Sequence, residues 1–189
     1  MDLFEYFNLF HPISKEVIAQ LEQHLQTRRY AKGEIITREG QVQRELFFVK
    51  SGYQISYLNH NGKVHVMAFT YPPNLCTIPD SFLLQRPSQY VLQCITDSEL
   101  NCIAHGALMP LFDTEPSLER LFRKFTEAVL VGLIQRHIDL HTLSIEERFK
   151  GFAARSSHLL HAVPHKYIAS YLDIDPTNFS KLFNSIKIE

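Results

Sequence analysis

The sequence predicts an α+β protein: an N-terminal antiparallel jelly-roll barrel of the double-stranded β-helix type, then a long helix, then a C-terminal helix-turn-helix. Three observations lead to this fold class. Apolar residues alternate between glycine turns from Arg28 to Ala104, a helical period returns from Glu115, and the last quarter divides into two short helices. We therefore expect a barrel over 1–114, a dimerisation helix over 115–142 and a helix-turn-helix domain over 143–189.

The barrel prediction depends on a change of apolar period near Arg28. The first 24 residues read as helix, broken at Pro12, and the period then changes to two. Turn dipeptides that end in glycine separate the alternating segments. Asn61-Gly62 is the strongest of them, since a two-residue type I′ hairpin needs positive φ at both positions. The alternating apolar positions are Tyr30, Ile35, Leu46, Phe48, Ile55, Tyr57, Val64, Val66 and Ala68.

A second strand pair is expected to complete the barrel. It runs from Tyr90 to Ile95 and from Ser98 to Ala104, with Thr96-Asp97 as the turn. The segment from Tyr71 to Ser88 is rich in proline but still carries apolar residues. We therefore expect a structured connection there, with a short helix.

The long helix is expected from Glu115 to about His141. Its apolar residues sit close to a/d spacing, and such a one-sided helix favours pairing with a second copy of the chain. The seam would consist of Leu118, Phe122, Phe125, Val129 and Leu133. A capping box, Ser144 with Glu147, then opens a further helix.

The last quarter of the chain predicts two short helices joined by a tight turn. The first would begin at Pro164 and bury Ile168, Ala169 and Leu172, and Asp175 with Pro176 would open the second. Phe179, Leu182, Phe183 and Ile186 face inward in the second helix, which leaves Thr177, Asn178, Ser180, Lys181 and Asn184 facing outward. These polar side chains suit base edges and phosphates. The pattern alone is equally compatible with an ordinary helical hairpin that closes a domain.

Composition and charge limit the partners. The chain has 189 residues, 45% of them hydrophobic, no run of roughly 18 apolar residues and no basic segment that opens a secretory signal, so we expect a cytoplasmic protein without a membrane partner. The 19 basic and 20 acidic residues nearly cancel, and from Leu143 onward six basic residues oppose five acidic ones. Attraction to phosphates would be weak, with roughly two to four contacts per protomer, and a dimer would double it.

Several segments carry a family resemblance in their order and spacing. They are K-G-E-I-I-T-R-E-G (32–40), L-F-F-V-K-S-G (46–52), N-G-K (61–63), L-S-I-E-E-R-F (143–149) and V-P-H-K-Y-I-A-S-Y-L (163–172). Over essentially its whole length the chain resembles the Crp/Fnr transcription regulators, and its C-terminal text is similar to the shortened regulators common in Bacteroidetes. The resemblance implies a homodimer without enzymatic activity, with a cyclic-nucleotide-binding-like barrel and a helix-turn-helix that binds double-stranded DNA at a palindromic site.

The effector region departs from that family. Members that bind cyclic AMP carry a Gly-Glu pair for the ribose and an Arg before Ser or Thr for the phosphate. Here Pro73-Asn74 and Pro79-Asp80 stand in the first region, and Ser88-Gln89 occupies the arginine position, with Arg86 two residues earlier. A buried cyclic phosphate without a cation is unfavourable, so we expect no cyclic AMP binding in the family manner.

The remaining candidates for the effector pocket follow from that alignment. Asn74, Arg86, Ser88 and Gln89 would line it if it holds an unidentified small-molecule effector. Otherwise the space would be filled by Phe69, Leu75, Phe82 and Tyr90. We favour a filled pocket or an unidentified effector over any specific ligand.

No cofactor or metal is expected. An iron–sulfur sensor of the family would need cysteines near the N-terminus, and none precedes Cys76. Cys76, Cys94 and Cys102 lack C-x-x-C spacing and read as reduced core residues. His60 and His65 could be haem ligands, but histidines that flank a hairpin turn are usually solvated. We therefore expect no haem. The pair His137 and His141 has no third ligand, and no motif indicates an enzyme.

The helix-turn-helix also departs from the resemblance. Asp173 stands where the family's turn carries glycine, Pro176 takes a position that is commonly charged, and only residues 157–163 connect the helices, so the wing is missing. By register, Thr177 and Lys181 would contact bases and Asn178 a phosphate. The full predicted DNA surface is Lys166, Thr177, Asn178, Ser180, Lys181 and Asn184. The alternative is a ligand-sensing or interaction module whose degenerate helix-turn-helix no longer binds DNA.

Overall fold

The structure, a computed structural model, describes residues 3–185. In chain order the helices and strands are α1 (Leu3–Asn8), α2 (Lys15–Gln23), β1 (Gln26–Tyr30), β2 (Ile35–Thr37), β3 (Glu45–Ser51), β4 (Gln54–His60), β5 (Lys63–Thr70), β6 (Leu75–Cys76), α3 (Pro79–Leu84), β7 (Val91–Cys94), β8 (Ser98–Ala104), α4 (His105–Thr114), α5 (Pro116–Thr142), α6 (Ile145–Ala162), α7 (His165–Leu172) and α8 (Pro176–Ser185). The α+β prediction is confirmed.

The described strands form two four-stranded sheets, with the orders β1-β8-β3-β6 and β2-β7-β4-β5. Antiparallel pairing of β8 with both β1 and β3 fixes the first sheet, where Gln26 pairs with Cys102 and Leu46 with Ile103. The hairpin turn between β4 and β5 is confirmed, because Asn61 and Gly62 both have positive φ, 50° and 73°. The eight strands thus make the expected antiparallel sandwich.

Two apolar clusters stabilise the first sheet from its two sides. The outer cluster joins α1 and α2 to β3, β8 and the helices that follow, with Phe7, Leu21 and Ile103 at its centre. The inner cluster fills the space between the sheets. The three cysteines are free and buried, as expected, and burial raises the pKa of the Cys76 thiol to about 12. An uncharged thiol behaves there as a small apolar side chain.

Two helices around the barrel bear on the predictions. The structured connection is confirmed by α3, which begins at Pro79. The helix α4 is absent from the prediction, because Gly106 and Pro110 within a ten-residue helix lower its intrinsic propensity. Its Leu108 is nevertheless buried in the outer cluster, so packing decides the conformation of this segment.

The described chain divides into two compact units. The first comprises residues 3–56 and 69–130, and the second comprises residues 57–68 and 131–185. The second unit therefore contains the tip of the β4–β5 hairpin together with the end of α5 and the helices α6, α7 and α8. Within residues 3–185, none of the helices combines the length and the apolar character that a membrane span requires.

The second unit is built around α6. Its first turn has the predicted capping box, in which Ser144 and Glu147 bond reciprocally, and these bonds with Ser144 hold the pKa of the Glu147 carboxyl below its usual range. The segment from residue 157, expected as a connection, is helical instead. It continues α6 after a kink at Ser156, whose φ of −143° is not helical.

The helix α5 does not present the predicted seam. Leu118 is 1% exposed in the outer cluster, and Phe122 and Phe125 pack against the same cluster. These three side chains already have partners in their own chain, so their assignment to a dimer seam is corrected. Val129 and Leu133 are exposed, and the most exposed apolar side chains of the helix are Leu130, Val131, Leu133 and Ile134.

Candidate nucleic-acid interface and effector region

The outward face of α8 is open to solvent. All five side chains expected there, Thr177, Asn178, Ser180, Lys181 and Asn184, are exposed. On the opposite side Phe179 is 1% exposed, and its ring centroid lies 5.4 Å from that of Phe149 in α6. A polar face is thus held on a helix whose other side is anchored in a core. Ile186, the last predicted inward position, lies outside the described residues.

The start of α8 follows the sequence signal. Asp175 Oδ1 accepts a hydrogen bond from the Thr177 N–H at 2.8 Å, and Pro176 is the first helical residue. The Ser180 hydroxyl donates to the Pro176 carbonyl at 3.0 Å, which leaves its lone pairs as acceptors. The Asp175 side chain therefore caps the first turn of α8.

The turn between α7 and α8 is fixed at Asp173. This residue has φ of 52°, and its N–H bonds to the carbonyls of Ala169 and Ser170 at the end of α7. The Arg148 guanidinium donates from Nη2 to the Asp173 carbonyl at 3.1 Å and from Nη1 to the Leu140 carbonyl at 2.9 Å. Asp173 thus takes the left-handed conformation that glycine usually supplies.

The helix α7 begins one residue later than expected. Pro164, expected as the first helical residue, is the N-cap instead, because its ψ of 128° is extended. Lys166 follows in the first turn and is exposed, with Nζ 4.9 Å from the ring centroid of Tyr167. Ile168, Ala169 and Leu172 are buried, as the spacing predicted.

Positive charge on the second unit is partly neutralised. Lys150 pairs with Glu146 at 2.6 Å, and Arg155 lies 3.9 Å from Asp139. No ion pair within residues 3–185 involves Lys166 or Lys181. In this part of the chain the two lysines thus have no carboxylate partner.

The interior of the barrel is filled by apolar side chains. Its core consists of Phe47, Val49, Cys76, Ile78, Leu92, Leu100 and Cys102, with Tyr30, Ile36 and Tyr90 packed against them. Of the four residues expected to fill this space, Tyr90 does so. Leu75 and Phe82 belong to the outer cluster instead, since they face the helices, and Phe69 is half-buried.

The four candidate effector residues are not brought together as a phosphate site. Asn74 accepts a hydrogen bond from the Tyr6 hydroxyl at 2.9 Å. The Ser88 hydroxyl donates to the Tyr90 carbonyl and accepts from the Tyr90 N–H, at 2.8 and 2.9 Å. Arg86 has a side chain that is 55% exposed and lies 3.5 Å from Asp80, and Gln89 is exposed. The Ser88 hydroxyl is thus hydrogen-bonded within its own turn, and the Arg86 guanidinium is paired with the Asp80 carboxylate.

A cleft of about 580 Å³ lies on the barrel surface beside this region, lined by Gln41, Gln43, Arg44 and Glu45 among others. Gln43 is 3% exposed, and its side chain donates to Thr77 Oγ1 and accepts from the Ile78 N–H, both at 2.9 Å. Sequence reasoning missed this glutamine, because apolar periodicity does not identify a buried polar side chain that forms hydrogen bonds with a distant segment.

Histidine pairs occur where the sequence placed them. The ring centroids of His137 and His141 are 4.5 Å apart, and those of His60 and His65 are 6.5 Å apart. In the described part of the chain no group of three or more His, Cys, Asp or Glu side chains could hold a metal ion.

The comparisons with known proteins place the barrel in a family of domains. Residues 27–115 match the family model described as the cyclic nucleotide-binding domain. The barrel therefore has the fold of that domain. No curated protein matches the chain.

Three solved structures show how far the similarity of fold extends. The Thermus thermophilus catabolite activator protein is 20% identical, with a TM-score of 0.60 over 94% of this chain and 85% of its own. FixK2 from Bradyrhizobium japonicum is 17% identical, with a TM-score of 0.72 over 85% and 83%. The c-di-GMP-responsive global regulator CLP of Xanthomonas campestris is 17% identical, with a TM-score of 0.68 over 90% of both chains. These likenesses extend the shared fold beyond the barrel into the C-terminal helices.

Proposed function

We propose that this protein is a homodimeric, non-enzymatic transcription regulator of the Crp/Fnr type, which binds double-stranded DNA at a palindromic site through α8. The observation that carries the proposal is the exposed polar face of α8, held on a helix whose opposite side is anchored by Phe179. The likeness of fold to solved regulators along most of the chain supports the same reading.

The residues of the interface have distinct roles in this proposal. Thr177 and Lys181 lie one helical turn apart on the exposed face and reach base edges in the major groove. Asn178 and Lys166 contact phosphates, and Ser180 and Asn184 complete the polar face. With so few positive charges, one protomer binds weakly, and two linked heads are needed for useful affinity.

Dimerisation occurs through α5 in this proposal, but on a different face from the predicted seam. Leu130, Ile134 and Ile138 recur at intervals of four residues and are 56%, 52% and 45% exposed. At about 100° per residue, the three side chains lie about 120° to 200° around the helix from Leu118, which packs on its own chain. A second copy would cover this stripe.

In this proposal the barrel does not bind cyclic AMP. It binds a different small-molecule effector or has no effector. We expect no binding heat when cyclic AMP is titrated into the purified protein at concentrations up to about 1 mM, because Ser88 is bonded to its own turn and Arg86 pairs with Asp80. Isothermal titration calorimetry checks this. A dissociation constant in the micromolar range would refute it.

The DNA-binding role is tested at Lys181. We expect Lys181→Ala to weaken binding to a specific site about tenfold, the loss of one good base contact, and to relax sequence preference at one position of each half-site. Fluorescence anisotropy with the selected site and single-base variants measures both effects. Lys32→Ala, on an exposed barrel turn, is the matched control and should bind as the wild type does.

The salt dependence of binding, measured in the same experiment, separates a DNA-binding regulator from a module with a degenerate helix-turn-helix. A DNA regulator loses affinity steeply between low and physiological salt as counterions are released. A degenerate helix-turn-helix that serves only as packing would show no DNA binding at any salt concentration. An unchanged affinity of Lys181→Ala would overturn the assignment of this residue while leaving the DNA-binding role intact.

A further inference from the structure

The outer edge of β5 carries main-chain groups that are not paired with another of the described strands. This strand is the last in the order β2-β7-β4-β5, so one of its edges has no neighbouring strand among residues 3–185. Such an edge presents N–H and C=O groups that need partners. The part of β5 up to Ala68 belongs to the same compact unit as α6, α7 and α8.

Ser170 of α7 supplies one partner to that edge. Its hydroxyl oxygen accepts a hydrogen bond from the Val66 N–H at 3.0 Å, and the hydroxyl donates to the Val64 carbonyl at 2.8 Å. Residues two apart on a strand direct their main-chain groups to the same edge. One hydroxyl therefore satisfies a donor and an acceptor of β5, as a paired strand would.

Arg136 of α5 supplies the second partner. Its guanidinium donates to the carbonyls of Val66 and Met67 at 3.4 and 3.3 Å and to that of Tyr171 at 2.9 Å. The guanidinium carbon also lies 4.1 Å from the centroid of the Tyr171 ring. The Tyr171 carbonyl is in the last turn of α7, where carbonyls lack intrahelical partners and a cation is favourable. Arg136 thus joins the end of α7 to the same edge as Ser170.

We infer that residues 64–67 of β5 form a dock that holds α7, and with it α8, in one orientation, and that Ser170 and Arg136 are the positioning residues of this dock. Only residues 173–175 separate the two helices, so fixing α7 also fixes α8. The recognition face of α8 stays exposed with the dock formed. The dock therefore presents α8 and does not mask it.

The inference rests on the proposed DNA-binding function. The strands β4 and β5 run from the barrel unit into the hairpin that carries the dock. Neither residue was found by sequence reasoning, because a serine and an arginine on helices give no signal of a strand partner.

The existence of the dock is tested without DNA. Hydrogen exchange at the Val66 amide, followed by nuclear magnetic resonance on the full chain, should accelerate about fivefold or more in Ser170→Ala, which removes the hydroxyl that accepts a hydrogen bond from this N–H. Ser170→Thr keeps the hydroxyl and should restore slow exchange. Ser157→Ala, an exposed serine of α6, is the matched control. Equal exchange in Ser170→Ala and the wild type would overturn the dock.

The positioning role is tested by DNA affinity. Ser170→Ala and Arg136→Lys should each bind the selected site about fivefold more weakly, because an unfixed head must be ordered on binding. The slope of log affinity against log salt should stay unchanged, since no phosphate contact is removed. Ser170→Thr should bind as the wild type does. Unchanged or increased affinity of Ser170→Ala would overturn positioning.

The two experiments keep the dock and the proposed function apart. If the wild type binds no DNA at any salt, the proposed function and the positioning role both fail, and the Val66 exchange rate still decides whether the dock exists. If DNA binds and Val66 exchange accelerates without a loss of affinity, the dock is structural packing only.

Discussion

Replacing Gly52 with alanine is expected to destabilise the barrel unit by about 3 kcal/mol. Gly52 has φ of +90°, and an added Cβ would lie 2.5 Å from the Asp97 carbonyl oxygen and 2.8 Å from Ser98 Cα. The backbone conformation alone costs about 1–2 kcal/mol for a residue with a side chain, and forced contacts in a packed site add about 1–3 kcal/mol. The neighbouring atoms are largely backbone, so they cannot move aside.

Urea unfolding at equilibrium measures the change in the free energy of unfolding. Gly40→Ala is the matched control, because Gly40 has a similar φ of +78° and a Cβ there would meet no atom within 4 Å. This variant should lose only the conformational part, about 1 kcal/mol. Equal destabilisation of the two variants would contradict this account, because it would show that contacts of the added Cβ with the β7–β8 turn do not contribute to the loss of stability at Gly52.

Leu130→Asp is expected to convert the proposed dimer into monomers. Leu130 is 56% exposed on the stripe that it shares with Ile134 and Ile138. Burying each such side chain in an interface contributes about 1.5–3 kcal/mol, and an unpaired carboxylate in the same place is strongly unfavourable. With two substitutions per dimer, the dissociation constant should rise at least about 100-fold.

Sedimentation velocity over a range of protein concentrations measures this change. Leu84→Asp is the matched control, since Leu84 is 61% exposed at the end of α3 and does not belong to the α5 stripe. It should leave the dimer intact. A wild-type protein that sediments as a monomer, or a Leu130→Asp variant that stays dimeric, would contradict the assignment of the stripe to the dimer interface.

Local signals in the sequence were sufficient for most of the fold. Asn61-Gly62 predicts its hairpin because few residues adopt positive φ twice in succession. Ser144 with Glu147 predicts the start of α6, and Asp175 with Pro176 predicts that of α8, because each satisfies helix N–H groups within a few residues.

Features that depend on long-range packing were missed or misplaced. The apolar spacing of Leu118, Phe122 and Phe125 shows that one face of α5 is covered, but periodicity cannot tell whether the same chain or a second copy covers it. Pro164 fits both N1 and the N-cap, and only its ψ separates them.

The candidate site was predicted in part for the same reason. The exposed face of α8 follows from helical spacing, whereas the bonds of Ser170 and Arg136 to β5 join residues about 70 to 106 positions apart. The turn at Ser88 also illustrates this limit. Its hydroxyl bonds locally to Tyr90, and nothing in the sequence shows that this serine is already occupied.

Selection of bound fragments from random double-stranded DNA with the purified full-length protein tests the central claim most directly. We predict enrichment of a two-fold symmetric sequence whose half-sites are centred about one helical turn, roughly 10 base pairs, apart, with affinity that falls steeply as salt increases. Failure to enrich any sequence, together with no retardation of DNA even at low salt, would contradict the account and leave α7 and α8 as a packing element.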